Sequence, residues 1–219
     1  MMRFRSARVT AAAVLAAAIV VVPARAGFAD LTVKGDQGAW RDVQAAFAKL
    51  NTLQGYRMKS ALPNGSMIVE VTLGGTAMHV TMHSAGGDVE SYVMGGQARM
   101  RVQAAGAPNV WQCHGMPPMM AQTDPSKLQG TIDIARAADA VIDGAPMHVY
   151  TYTVEGAMMG KAGQAKTTVY VDNTSGLPRR MVVATTQGDQ TMDYYDYDAP
   201  IKFTLPACGS AARPAGPAD

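Results

Sequence analysis

Four glycine-bearing breaks, Pro63-Asn64-Gly65, Gly74-Gly75, Gly86-Gly87 and Gly95-Gly96, constrain this chain more than any other feature. They fall roughly ten residues apart and supply the positive φ that tight hairpin turns demand. Between them the apolar residues recur at every second position. Met67, Val69, Val71 and Leu73 share one face of a strand, and Met78, Val80 and Met82 share one face of the next. A period of two with polar residues between is the pattern of a strand buried on one side only. Residues 56 to 102 therefore read as an up-and-down meander of about five strands.

The other segments take their places around this meander. Trp40, Val43, Phe47 and Leu50 step by three and four, which draws one stripe along a helix from Asp36 to Asn51. Residues 104–129 are rich in Gly, Pro and Met and show neither period, so a long loop with a short helix after Asp124-Pro125 is expected. Strands resume around Ala138–Ile142, Met147–Val154, Ala165–Val171, Met181–Thr186, Gln190–Tyr197 and Ile201–Leu205, with turns at Asp143-Gly144-Ala145-Pro146, Asn173-Thr174-Ser175-Gly176 and Gly188-Asp189. Residues 209–219 have little to bury and are expected to form a disordered tail. The fold class is mainly β with α. A large antiparallel sheet of this size must curl, and it is expected to wrap around the N-terminal helix and the irregular insert, leaving a concave apolar face.

The first residues carry a different signal. Arg3, Arg5 and Arg8 precede an apolar run of 14 residues, Val9 to Val22, broken only by Thr10. That is short of the roughly 20 residues a membrane-crossing helix needs. The run ends in Pro23-Ala24-Arg25-Ala26, an A-x-A cleavage site, so residues 1–26 read as a signal peptide and 27–208 as the single folded domain. No cysteine follows the run, so export to the periplasm without a lipid anchor is expected. The leader takes four of the 19 basic residues and none of the 17 acidic ones, leaving a slightly acidic remainder. Without a basic stripe to neutralise phosphates, nucleic acid is excluded as a partner. Cys113 and Cys208 are a widely separated pair in an oxidising compartment, and a structural disulfide is expected, the alternative being free or metal-bound thiols.

The opening helix from Trp40-Arg41-Asp42-Val43 to Leu50-Asn51-Thr52, the hairpins after Tyr56, and the segment Val169-Tyr170-Val171-Asp172 to Ser175-Gly176-Leu177-Pro178-Arg179-Arg180-Met181 resemble the half-barrel family of periplasmic lipoprotein carriers. This LolA/LolB-like fold is shared with LppX/LprG-type lipid carriers, and the likeness covers nearly the whole exported chain. In this element Gly176 closes a turn and Pro178 opens a strand where a lost donor is tolerated. The resemblance implies a sheet folded over helices around a hydrophobic cavity that receives acyl chains. Lipid or lipoprotein acyl chains are thus the implied ligand, and an envelope membrane protein a possible partner, of a monomeric carrier.

No catalytic template is present: no G-x-S-x-G, H-E-x-x-H, P-loop or Rossmann glycine pattern. The expectation is a non-catalytic binding protein with no cofactor. Its cavity wall is expected to be Trp40, Phe47, Met67, Val69, Met78, Val80 and Met82, each on the apolar face of its element. Fourteen of the 16 methionines lie beyond the leader, and flexible, polarizable thioethers suit a pocket that adapts to its ligand. A second reading rests on Cys113-His114-Gly115-Met116-Pro117-Pro118-Met119-Met120. There His114, Met116, Met119 and Met120 form a soft-ligand set for Cu(I), as a periplasmic copper-handling protein would carry, and a third reading is a structural envelope protein that binds partners through strand edges. His79 and His83 share a face but sit about 13 Å apart along a strand, too far to share a metal. Asp193-Tyr194-Tyr195-Asp196-Tyr197-Asp198 lacks the glycine and glutamate of a calcium loop and reads as a strand with Tyr194 facing in.

Overall fold

A computed structural model describes residues 31–62, 65–72, 77–103, 109–115, 130–158, 161–185 and 188–209. Among the described residues one helix, α1 (Gln37–Leu50), accompanies a single sheet of thirteen strands. The first half of the sheet is built from β1 (Leu31–Gly35), β8 (Gly130–Arg136), β9 (Ala140–Ile142), β10 (Ala145–Met158), β11 (Lys161–Asp172), β12 (Pro178–Thr185) and β13 (Gly188–Tyr195). The meander supplies β2 (Gly55–Leu62), β3 (Gly65–Thr72), β4 (Ala77–Ser84), β5 (Gly87–Met94) and β6 (Gln97–Gln103), followed by β7 (Gln112–Gly115). The strand order is β1-β8-β10-β11-β12-β13-β2-β3-β4-β5-β6-β7, with β9 attached to β10. The five-strand meander is therefore present as the sequence rhythm requires, and it joins the first half through β13 and β2.

The helix begins where its chemistry says it should. Gly35 adopts φ 78°, and a Cβ there would meet the Ile134 carbonyl oxygen at 2.2 Å, so only glycine makes the corner out of β1. Asp36 then caps the helix, its carboxylate accepting from the Gly38 and Ala39 amides at 2.8 and 3.0 Å. Asp36→Ala is expected to lower stability by about 1 kcal/mol, read as a lower urea midpoint at unchanged slope. The buried stripe of α1 is Ala39, Val43, Ala46, Phe47 and Leu50. It lies on the inner face of the sheet, where Trp40 meets Tyr152 edge-on at 6.4 Å and Phe47 meets Tyr194 at 6.1 Å. Ile132, Ile134, Tyr150, Val169, Met181, Met192, Tyr56 and Met58 complete this core.

Three expectations are corrected by the structure. First, β1 and β8 were not expected, and they pair in parallel, Val33 opposite Ile132, in an otherwise antiparallel sheet. Second, β7 is a strand inside the stretch read as a loop, paired with β6 through Arg99 and Cys113. Third, Ile201–Leu205 joins no strand. Instead this segment crosses the outer face: Ile201 is buried beside Gly55, and the Phe203 ring lies 5.6 Å from Tyr92 and 6.1 Å from His79. The strap ends where Cys208 is bonded to Cys113 and the Gly209 amide donates to the Trp111 carbonyl at 2.9 Å. The disulfide is thus formed as expected, across a separation of 95 residues. The expected helix after Asp124-Pro125, and the tail beyond Gly209, lie outside the described residues.

Candidate ligand-binding face

The two halves of the sheet differ in what covers them. Helix α1 contacts β1, β8 and β11, and the core beneath it is closed. Three cross-strand rows carry the same inner face onward through the meander. One row runs Met67, Met82, Val89, Val102; the next Val69, Val80, Ser91, Met100; the third Val71, Met78, Val93, Ala98. Only Ser91 is polar. Burial falls away beyond β3 along the first two rows, whereas in the third Val93 and Ala98 stay buried at 9 and 5% exposed. On β3, Met67, Val69 and Val71 are 9, 5 and 2% exposed. Met78 and Val80 sit at the edge of the packed cluster. Met82, Val89, Met100 and Val102 lie beyond that cluster and are half-buried. The result is an apolar wall that the described elements only partly cover.

The opposite side of the same strands is polar and internally satisfied. Alternate positions point outward and form a chain of charges from Arg57 through Glu70, His79 and Glu90 to Arg101. Glu70 accepts from Arg57 at 2.8 Å and faces His79 Nδ1 at 2.9 Å, while His79 Nε2 faces Glu90 at 3.1 Å. Burial pushes the Glu70 carboxyl up, but the bonds from His79 and Arg57 outweigh it and hold the group below the usual carboxylate range. His79 stacks on Tyr92 at 4.1 Å, and the Arg101 guanidinium lies 4.7 Å from the Trp111 ring centre. Burial and the neighbouring Glu90 push the Tyr92 hydroxyl up to about 12. These groups partner one another, and His79 and Tyr92 lie beside the Phe203 ring of the strap. A shallow depression of about 190 Å³ is lined by Asp133, Ile134, Ala135, Thr151, Tyr152, Thr153 and Lys166, a mixed polar and apolar set apart from the meander wall.

The expected wall residues all face inward, but they divide between the halves. Trp40 and Phe47 belong to the helix, and Phe47, Met67 and Val69 are core members under or beside it. Met78, Val80 and Met82 stand on the less covered half. Val89, Met100 and Val102 were missed although Ala98, Met100 and Val102 alternate cleanly with Arg99 and Arg101 in β6; only in β5 does the inward Ser91 blur the pattern.

The metal-ligand expectation is placed as follows. Cys113 is held in the disulfide. His114 is described only by its main chain, opposite Ala98, and Met116, Met119 and Met120 lie outside the described residues. Among the described residues no three His, Cys, Asp or Glu side chains converge as a metal site would require. His79 pairs with carboxylates, and His83 lies 3.0 Å from Asp88. The acidic run is a strand end: Asp193 accepts from Arg180, Asp196 from Arg57 and Asp198 from the Gln54 amide, while Tyr194 is buried.

Compared with known proteins, the sequence matches no family model and no curated protein. The structure does have counterparts. The lipoprotein LppX of Mycobacterium tuberculosis aligns with a TM-score of 0.56 at 12% identity, over 77% of this chain and 99% of that one. LprF of Mycobacterium bovis aligns with a TM-score of 0.54 at 15% identity, over 80% of this chain and 99% of that one. At such identities the likeness is one of fold, and the chain has the half-barrel fold of LppX and LprF.

Proposed function

We propose that this protein is a non-catalytic carrier that binds the acyl chain of a lipid or lipoprotein on the inner face of β4–β6, outside the cytoplasm. The observation that carries the reading is the patch of half-buried Met78, Val80, Met82, Val89, Met100 and Val102, spread over three rows that continue the register of the core residues on β3. Apolar surface left at a sheet interior gains about 0.8 kcal/mol for each methylene it buries. A wall of flexible thioethers and β-branched residues fits chains of varied shape. The disulfide and the leader sequence support work after export in an oxidising compartment. Release would follow from handover to an envelope membrane protein.

Native mass spectrometry of the protein purified from periplasm, followed by organic extraction, tests this directly. A co-purified acyl-bearing molecule is expected; a protein that is empty and fails to take up a fluorescent hexadecanoic acid would end the reading. The double variant Met82→Glu/Met100→Glu places two carboxylates on the wall at positions that are not members of the packed cluster. It is expected to bind the same probe at least tenfold more weakly, about 1.4 kcal/mol, with its circular dichroism unchanged. Equal affinity in wild type and variant would place the ligand elsewhere.

A further inference from the structure

Methionine supplies Met78, Met82 and Met100 to the half-buried wall, two on β4 and one on β6, with β5 paired between those strands. Five other described methionines are buried: Met58, Met67, Met147, Met181 and Met192 are 4, 9, 0, 4 and 5% exposed. Met94 is half-buried too, but it lies on the outer face, between Ala77 and Gln97. Apart from Met94, the methionines whose burial is described thus divide into a protected set in the core and a half-buried set on the wall.

Resting on the reading of this wall as the ligand site, we propose that Met78, Met82 and Met100 form an oxidation site through which peroxide switches ligand binding off. The chemistry is a two-electron oxygen transfer. The thioether sulfur attacks one peroxide oxygen, the O–O bond breaks, an S–O bond forms, and the leaving hydroxide takes up the proton to depart as water. Each sulfoxide replaces a polarizable apolar atom with a strong acceptor directed at an acyl chain that offers no donor. The change needs no unfolding, because the methionines of the packed half stay out of reach. It is also reversible, since sulfoxide reductases restore the thioether.

The test compares the wild type with Met78→Leu/Met82→Leu/Met100→Leu, a volume-conserving change that keeps the wall apolar. Both are titrated with fluorescent hexadecanoic acid before and after graded hydrogen peroxide, and oxidised residues are located by peptide mass mapping. In the wild type, oxygen is expected on the three wall methionines before Met58, Met147, Met181 or Met192, with affinity at least tenfold weaker. The triple variant is expected to keep its affinity after the same treatment, and sulfoxide reductases to restore that of the wild type. Equal losses in the two proteins, unchanged binding with all three residues oxidised, or earlier oxidation of the core methionines would each overturn the inference alone. Absence of binding before any oxidation would instead overturn the functional reading, and this inference with it.

Discussion

The Phe47→Ala variant is expected to lose about 3–5 kcal/mol of stability, as large aromatic truncations in closed cores do. Phe47 sits in the middle of the buried stripe of α1 and presses its ring edge-on to Tyr194, which is itself 1% exposed and 6.3 Å from Tyr56. Neither tyrosine can move to fill the space, because both belong to strands paired on either side: β13 between β12 and β2, and β2 between β13 and β3. The cavity should therefore persist. Urea unfolding followed by circular dichroism measures the loss. The comparison that gives the result meaning is Met82→Ala on the less covered half, expected to cost well under half as much, because Met82 is half-buried and outside the packed cluster. Equal costs at the two positions would mean that the meander is packed as tightly as the helical half, and the proposed wall would lose its basis.

Breaking the clasp should be almost as costly. Replacing Cys113 and Cys208 by serine is expected to remove about 2–4 kcal/mol, since the bond closes a loop of 95 residues that the unfolded chain would otherwise leave open. The loss should also have a location. Strand β7 is four residues long and is a sheet edge, and the strap makes no strand pairing of its own. Hydrogen exchange is thus expected to rise in residues 109–115 and 199–209 while β10 and β11 stay protected. Unchanged unfolding midpoints, with exchange unaltered around Trp111, would show that Phe203 and Ile201 hold the strap unaided.

How much of this was legible from residues alone follows from the range of each interaction. The helix and the hairpins of the meander are local: Asp36 caps its own helix, and each turn pairs the strands on either side of it. Period and punctuation report such contacts directly. The element ending in Gly176-Leu177-Pro178 was equally readable, with Gly176 at φ 65° and β12 opening at Pro178. What escaped was long-range. The five residues of β1 bury themselves only by joining β8, about a hundred positions later, and nothing in Leu31-Thr32-Val33-Lys34-Gly35 announces a parallel partner. The run Ile201 to Leu205 has strand-like alternation, but its place is set by the disulfide and by Tyr92 and His79. For the site, the inward direction of the wall residues was readable, whereas the split between helix-covered and less covered halves depends on where α1 comes to rest.

The strap on the outer side of the meander gives that half a second means of support. The strands from β8 to β13 are held from within by a helix, while β2 to β7 are braced from without by residues 199–209 and the clasp at Cys113. A scaffold anchored on opposite sides in its two halves does not depend on filling its hollow. On the proposed carrier reading the empty host keeps its shape by this bracing, and whatever stability loading adds comes from the guest's own binding.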